Sequence, residues 1–158
     1  MSREYPTLEM ATHLYDNELL LDSTEPARTD EINIIQSWLE AHIGELNMLL
    51  NTSFAADNGI ISSFGEEEAV ILKKLYVIQY YKKQSTVVLR EADDASNSLD
   101  FEELREGDSV IKRNSKRDQL KDYMALIKEA NEALDILVSK YNTYQSPPSQ
   151  IIEKGSYN

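Results

Sequence analysis

The chain has 158 residues, 41% of them hydrophobic, and a formal net charge of -12. That length supports one core and is short for two independent domains. With no cysteine, disulfides, thiolate nucleophiles and cysteine-type zinc sites are excluded, and the acidic balance disfavours free nucleic-acid binding as the main role.

The opening "MSREYPTLEM" lacks the basic-then-apolar order of a signal peptide, and the apolar runs are too short to span a bilayer, so a soluble chain with no membrane contact is expected. "TLEMATHLYDNELLL" reads as a weak helix over 7–20, with "LDSTEPAR" as its exit. In "RTDEINIIQSWLEAHIGELNMLL", Thr29 or Asp30 is the expected N-cap. Ile32, Ile35, Trp38, Leu39, Ile43, Leu46 and Leu50 then recur at helical spacing and predict one long helix over 30–50 with Trp38 in the core. Asn58-Gly59 marks a turn, and neither this connector nor the one after the next long helix alternates like a confident strand.

"SFGEEEAVILKKLYVIQYYKKQSTVVLREA" places Ser63 and Glu66 in capping-box spacing and three acids at the positive end of the helix dipole. A helix over 64–92 is predicted, apolar on more than one side and therefore central. Tyr76, Tyr80 and Tyr81 resemble a base-stacking platform. Their aliphatic neighbours favour packing in the core or at an interface.

The stretch "DDASNSLDFEELREGDSVIKRNS" is read as a connector. It holds one helical turn at 101–105, a break at Gly107 and a short extended piece at 109–112. From Ser115 and Asp118 a capping variant leads into Leu120, Tyr123, Ile127, Ala130, Leu134, Leu137 and Tyr141, spaced alternately by three and four, which predicts a helix over 116–142. Leu72, Leu75, Leu120, Ile127 and Leu134 are the expected core. If Ile127 is buried, Ile127→Ala should cost about 2 to 5 kcal/mol. Pro147-Pro148 cannot continue the helix, so residues 143–158 are expected to form an extended arm, variably placed in a free subunit.

These pieces make an all-α fold: a small bundle of three long helices, a weaker N-terminal helix and the arm, divided as a helical domain over 1–142 and an arm over 143–158. No more β-structure than a short hairpin is expected. Charge falls in blocks. Residues 1–57 carry eleven acids against two arginines, residues 73–90 carry five bases and no acid, residues 91–108 eight acids against one arginine, and residues 109–121 five bases against one acid. Alternating blocks suit pairing within a chain or between copies.

Reactive groups are sparse. The two histidines, His13 and His42, lack a glutamate three residues earlier, as a di-iron bundle would require. There is no phosphate loop, dinucleotide glycine fingerprint, nucleophile elbow or EF-hand loop. No metal, cofactor or catalytic residue is expected. A helical protein-binding module and a helical-bundle enzyme using carboxylates are the rival classes.

The order of "IQSWLEAHIGELNMLL", "EEEAVILKKLYVIQYYKKQ", "LREGDSVIKRNSKRD", "LKDYMALIKEANEALDILVSKYN" and a proline-containing arm resembles the head-to-tail connector (adaptor or neck) proteins of tailed bacteriophages. The likeness covers most of the chain from about residue 30. Its most specific part is Arg105 to Ser109 followed by Asp118 to Tyr123, with Asp118 where a basic residue would be expected. The resemblance implies a non-enzymatic virion protein made in the host cytoplasm. It would form a ring, commonly of twelve copies, between the portal protein and the tail or next neck protein, and DNA would pass through the lumen without sequence-specific binding. It also implies that the C-terminal segment grips the portal. The expected partner-binding residues are Asp108, Lys112, Arg113, Lys116 and Arg117 in the loop, and Tyr144, Pro147, Pro148, Ile151 and Ile152 in the arm. The loop cations are expected to meet acids of the 91–108 block, of the acidic N-terminal half of a neighbouring copy, or of the portal or tail, with packaged DNA as the weaker option.

Overall fold

The structure, a computed structural model, describes residues 4–94, 103–106, 109–112 and 116–145; side chains at 92–94 and in the two segments between 103 and 112 are not described. In chain order the elements are β1 (Glu4–Pro6), α1 (Thr7–His13), a π-helical turn (Leu14–Glu18), α2 (Ala27–Ala41), α3 (Ile43–Leu50), β2 (Ala56–Asp57), β3 (Ile60–Ser62), α4 (Glu66–Asp94), β4 (Glu103–Glu106), β5 (Ser109–Lys112) and α5 (Lys116–Gln145). The chain is mostly helical. The expected all-α character is modified by two small sheets, one antiparallel in the order β1-β3-β2 and one a β4–β5 hairpin, which is more β-structure than a short hairpin.

Two of the three expected long helices are continuous. The helix expected over 30–50 is broken at His42, whose backbone (φ -103°, ψ 11°) leaves the helical region. The His42 ring stacks on Trp38 at 3.8 Å, and Nδ1 lies 2.8 Å from the Trp38 carbonyl. The His42 carbonyl then accepts from the N–H groups of Glu45 and Leu46 and starts α3. A ring partner and two donors thus offset the interrupted ladder. Trp38, expected in the core, is half-buried at the core edge against Tyr76.

Helix starts also differ from expectation. α2 begins at Ala27, and it is the Glu25 carboxylate that accepts from the Thr29 N–H and hydroxyl. α4 begins at Glu66, and the Gly65 N–H donates to Glu68 Oε2 at 2.9 Å. The reciprocal half of a capping box therefore lies two residues later than the expected Ser63–Glu66 pair.

Asn58 and Gly59 both have positive φ (50° and 78°) and join β2 to β3 as a tight hairpin turn, the conformation that asparagine and glycine tolerate at least cost. The Thr7 N–H donates to the Gly59 carbonyl. The buried Thr7 hydroxyl lies 2.6 Å from Glu40 Oε1 and 3.0 Å from that same carbonyl. These bonds tie the hairpin to α2.

The core gathers Met10, Leu14, Tyr15, Ile35, Leu39, Leu46, Ile61, Phe64, Ile71 and Leu72, so α1 to α3 and the first sheet pack on the N-terminal half of α4 and the C-terminal half of α5. Expected core residues Leu72, Leu75 and Leu134 are buried; Leu120 and Ile127 are only half-buried. The reason is position along the helix pair. Past about residue 82 of α4 and before about residue 127 of α5, the buried residues are Ser85 and Val88, and each helix is covered mainly by the other. The antiparallel pair thus extends from the compact head, with the β4–β5 hairpin between its far ends. At 103–106 the expected helical turn is a strand; the expected extended piece at 109–112 is its partner.

Candidate assembly surfaces

On the extension, Tyr81, Ser85 and Val88 of α4 face α5, and Tyr81 meets Tyr123 across the seam with ring centroids 6.2 Å apart. The opposite side of α4 carries Gln79, Lys82, Lys83, Thr86, Val87 and Arg90, whose spacing of three and four residues is one helical stripe. Lys82, Lys83 and Arg90, with no acid in the stripe, give this flank a positive field.

On α5 the seam residues recur from Lys116 through Leu120, Tyr123, Ile127 and Leu134, and the exposed side carries Asp118, Asp122, Glu129, Glu132 and Asp135. Two of these acids have lysine neighbours on their own helix: Lys121 Nζ lies 3.3 Å from Asp118, and Lys128 Nζ lies 3.9 Å from Glu132. Residues 118–135 hold five acids against two bases. The extension therefore has a basic flank and a flank that leans acidic. Exposed Val87 and Leu89 on α4, and Met124 and Leu126 on α5, add apolar surface among these charges.

The expected partner-binding residues divide between the two ends of α5. Lys116 Nζ donates to the Glu91 carbonyl oxygen at 3.0 Å and lies 3.8 Å from Glu91 Oε2, so one cation of the basic loop meets the acidic block that precedes it in the chain. Arg117 is exposed on the first turn of α5. Lys112 ends β5, its backbone opposite Glu103. Tyr144, 82% exposed, lies 28 residues after Lys116, about 42 Å along the helix at 1.5 Å per residue. Asp108, Arg113, Pro147, Pro148, Ile151 and Ile152 lie outside the described residues. Among the described residues, Lys116 and Arg117 thus lie at the opposite end of α5 from Tyr144.

Sequence reasoning named Tyr144 but missed the groove that it lines. Where α5 ends beside the start of α4, a groove of about 250 Å³ is lined by Glu66, Glu67, Val70 and Ile71 on one wall and by Leu137, Lys140, Tyr141 and Tyr144 on the other. Its walls are joined by the Tyr141 hydroxyl, which donates to Glu68 Oε1 at 2.8 Å. Burial, reinforced by that carboxylate and by Glu67, pushes the Tyr141 phenol up to about 12. Burial raises Tyr76 to about 12 as well. The signal for the groove was visible only as Val70 and Leu137 falling on different helices; their juxtaposition is tertiary.

Among the described residues no group of three or more histidine, aspartate or glutamate side chains is arranged to hold a metal ion, and no helix is long and apolar enough to cross a membrane. His13 and Glu9 are both exposed on α1. No protein-family model, curated protein sequence or solved structure matches the chain.

Proposed function

We propose that this chain is a non-enzymatic structural subunit that assembles head to tail into a ring, the head-to-tail connector of a tailed bacteriophage. It would sit between portal and tail with DNA passing through the lumen. The observation that carries the reading is the two-helix extension with flanks of opposite charge. A closed ring uses a heterologous contact, in which one patch of a subunit meets a different patch of the next. A basic stripe on α4 and an acidic-leaning face on α5 supply such a pair. Exposed valine, leucine and methionine side chains among the charges supply apolar area to bury. The resemblance in chain order adds the partners: portal on one side, tail or next neck protein on the other, and twelve copies as the commonest ring.

Mass photometry and sedimentation of the full chain, alone and with purified portal, test this reading at about 0.05 and 0.5 M salt, a change that shortens the screening length severalfold. Rings or portal-bound subunits are expected at the lower salt. Reversing the basic stripe with Lys82→Glu, Lys83→Glu and Arg90→Glu should weaken assembly while leaving the melting temperature of the monomer nearly unchanged. A monomer indifferent to portal, to salt and to the reversal would refute the reading and favour a helical module that docks a partner peptide.

A further inference from the structure

The groove between α4 and α5 has a floor and walls of Val70, Ile71, Leu137 and Tyr141, with Lys140 on its α5 rim. Its volume of about 250 Å³ is below the roughly 300–1,000 Å³ of sites that enclose a small organic ligand. The chain itself holds a segment of suitable chemistry. Gln145 ends α5 immediately after the groove-lining Tyr144, and the next thirteen residues, "SPPSQIIEKGSYN", contain one apolar pair, Ile151-Ile152, followed by Glu153.

We infer that this groove is the docking seat of the chain's own C-terminal segment, with Ile151 and Ile152 between the two helices and Glu153 against Lys140. Reach is sufficient. Leu137 lies eight residues before Gln145, about 12 Å back along the helix, and the five residues 146–150 followed by Ile151 span at most about 20 Å extended. About 8 Å remains for reversing direction. The composition favours a reversal there, because Pro147 cannot prolong α5 and restricts Ser146 to extended backbone. Once extended, successive side chains point to opposite sides. Ile151 and Glu153 then share the α5 side, toward Tyr141 and Lys140, and Ile152 faces Val70 on α4. The charge after the apolar pair therefore falls on the wall that carries the lysine. This seat replaces the variable placement expected of the arm in a free subunit. It does not depend on the connector reading, since it is formed within one chain.

The absence of cysteine permits a clean test by disulfide trapping in the full-length protein at low concentration. In the variant Val70→Cys with Ile152→Cys, oxidation should give an intramolecular crosslink at least about tenfold faster than in Ile136→Cys with Ile152→Cys, reflecting the higher effective concentration of a seated segment. Ile136 is exposed and next to Leu137, but outside the groove. Adding Lys140→Glu should slow trapping in the first pair, and adding Glu153→Lys to that should restore it. Equal trapping rates for the two pairs would overturn the inference. So would crosslinks that join two chains, which would make a second copy the occupant. Circular dichroism of each unoxidised variant confirms folding, and because the readout is taken on isolated monomer, its failure leaves the ring test untouched.

Discussion

Leu72 and Ile127 both belong to the apolar stripes expected in the core, yet they differ in how many elements cover them. Leu72 is 0% exposed within the head, and Ile127 is half-buried on the two-helix extension. Leu72→Ala removes about three buried carbon groups, roughly 2.4 kcal/mol at 0.8 each. The cavity left in the core cluster raises the total to about 3 to 4 kcal/mol. Ile127→Ala uncovers surface that solvent already half reaches and leaves no closed cavity, so about 1 kcal/mol is expected, below the range that full burial would give. Urea unfolding followed by circular dichroism reads both. With a slope of about 2 kcal/mol/M, the midpoint should fall by about 1.5 to 2 M for Leu72→Ala and by about 0.5 M for Ile127→Ala, with unchanged slopes. Equal losses would mean that the extension is packed as tightly as the head, and the division of the molecule into head and extension would be wrong.

High pH should destabilise the fold through its tyrosines. Tyr76 and Tyr141 ionise near 12 in the folded chain against about 10 when unfolded. A raised folded value means that their stabilising contribution is complete below pH 10 and is lost as the pH rises from 10 to 12. The melting temperature should fall across that window, less steeply in the double variant Tyr76→Phe with Tyr141→Phe, and absorbance at 295 nm should show a late-titrating fraction among the nine tyrosines; a single native titration near 10 would contradict this. At the β2–β3 turn, Gly59→Ala should cost about 1 to 2 kcal/mol. The residue has φ +78°, and an added Cβ would lie 3.2 Å from Gln36 Nε2 and 3.5 Å from Thr7 Oγ1. Asn58→Gly should be nearly neutral by thermal melting, and a neutral Gly59→Ala would count against the positive-φ turn.

What the sequence determined by itself is local. The period of apolar residues located α4 and α5 to within a few residues, because 3.6-residue spacing is imposed by the helix whatever it packs against. Asn58-Gly59 announced its turn for an equally local reason, the low cost of positive φ at those two residues. Tertiary packing decided the rest. The break at His42 depends on a ring stacking on Trp38 and on carbonyl bonds that no spacing rule encodes. The three-stranded sheet pairs Glu4–Pro6 with Ile60–Ser62 across more than fifty residues, and strands this short show no alternation to read. Leu120 and Ile127 carry the same pattern as Leu134, but only Leu134 lies where other helices join the α4–α5 pair, so burial follows the number of covering elements rather than the stripe. The groove has the same origin: Val70 and Tyr141 are ordinary helix residues until the antiparallel pairing of α4 with α5 sets them on facing walls.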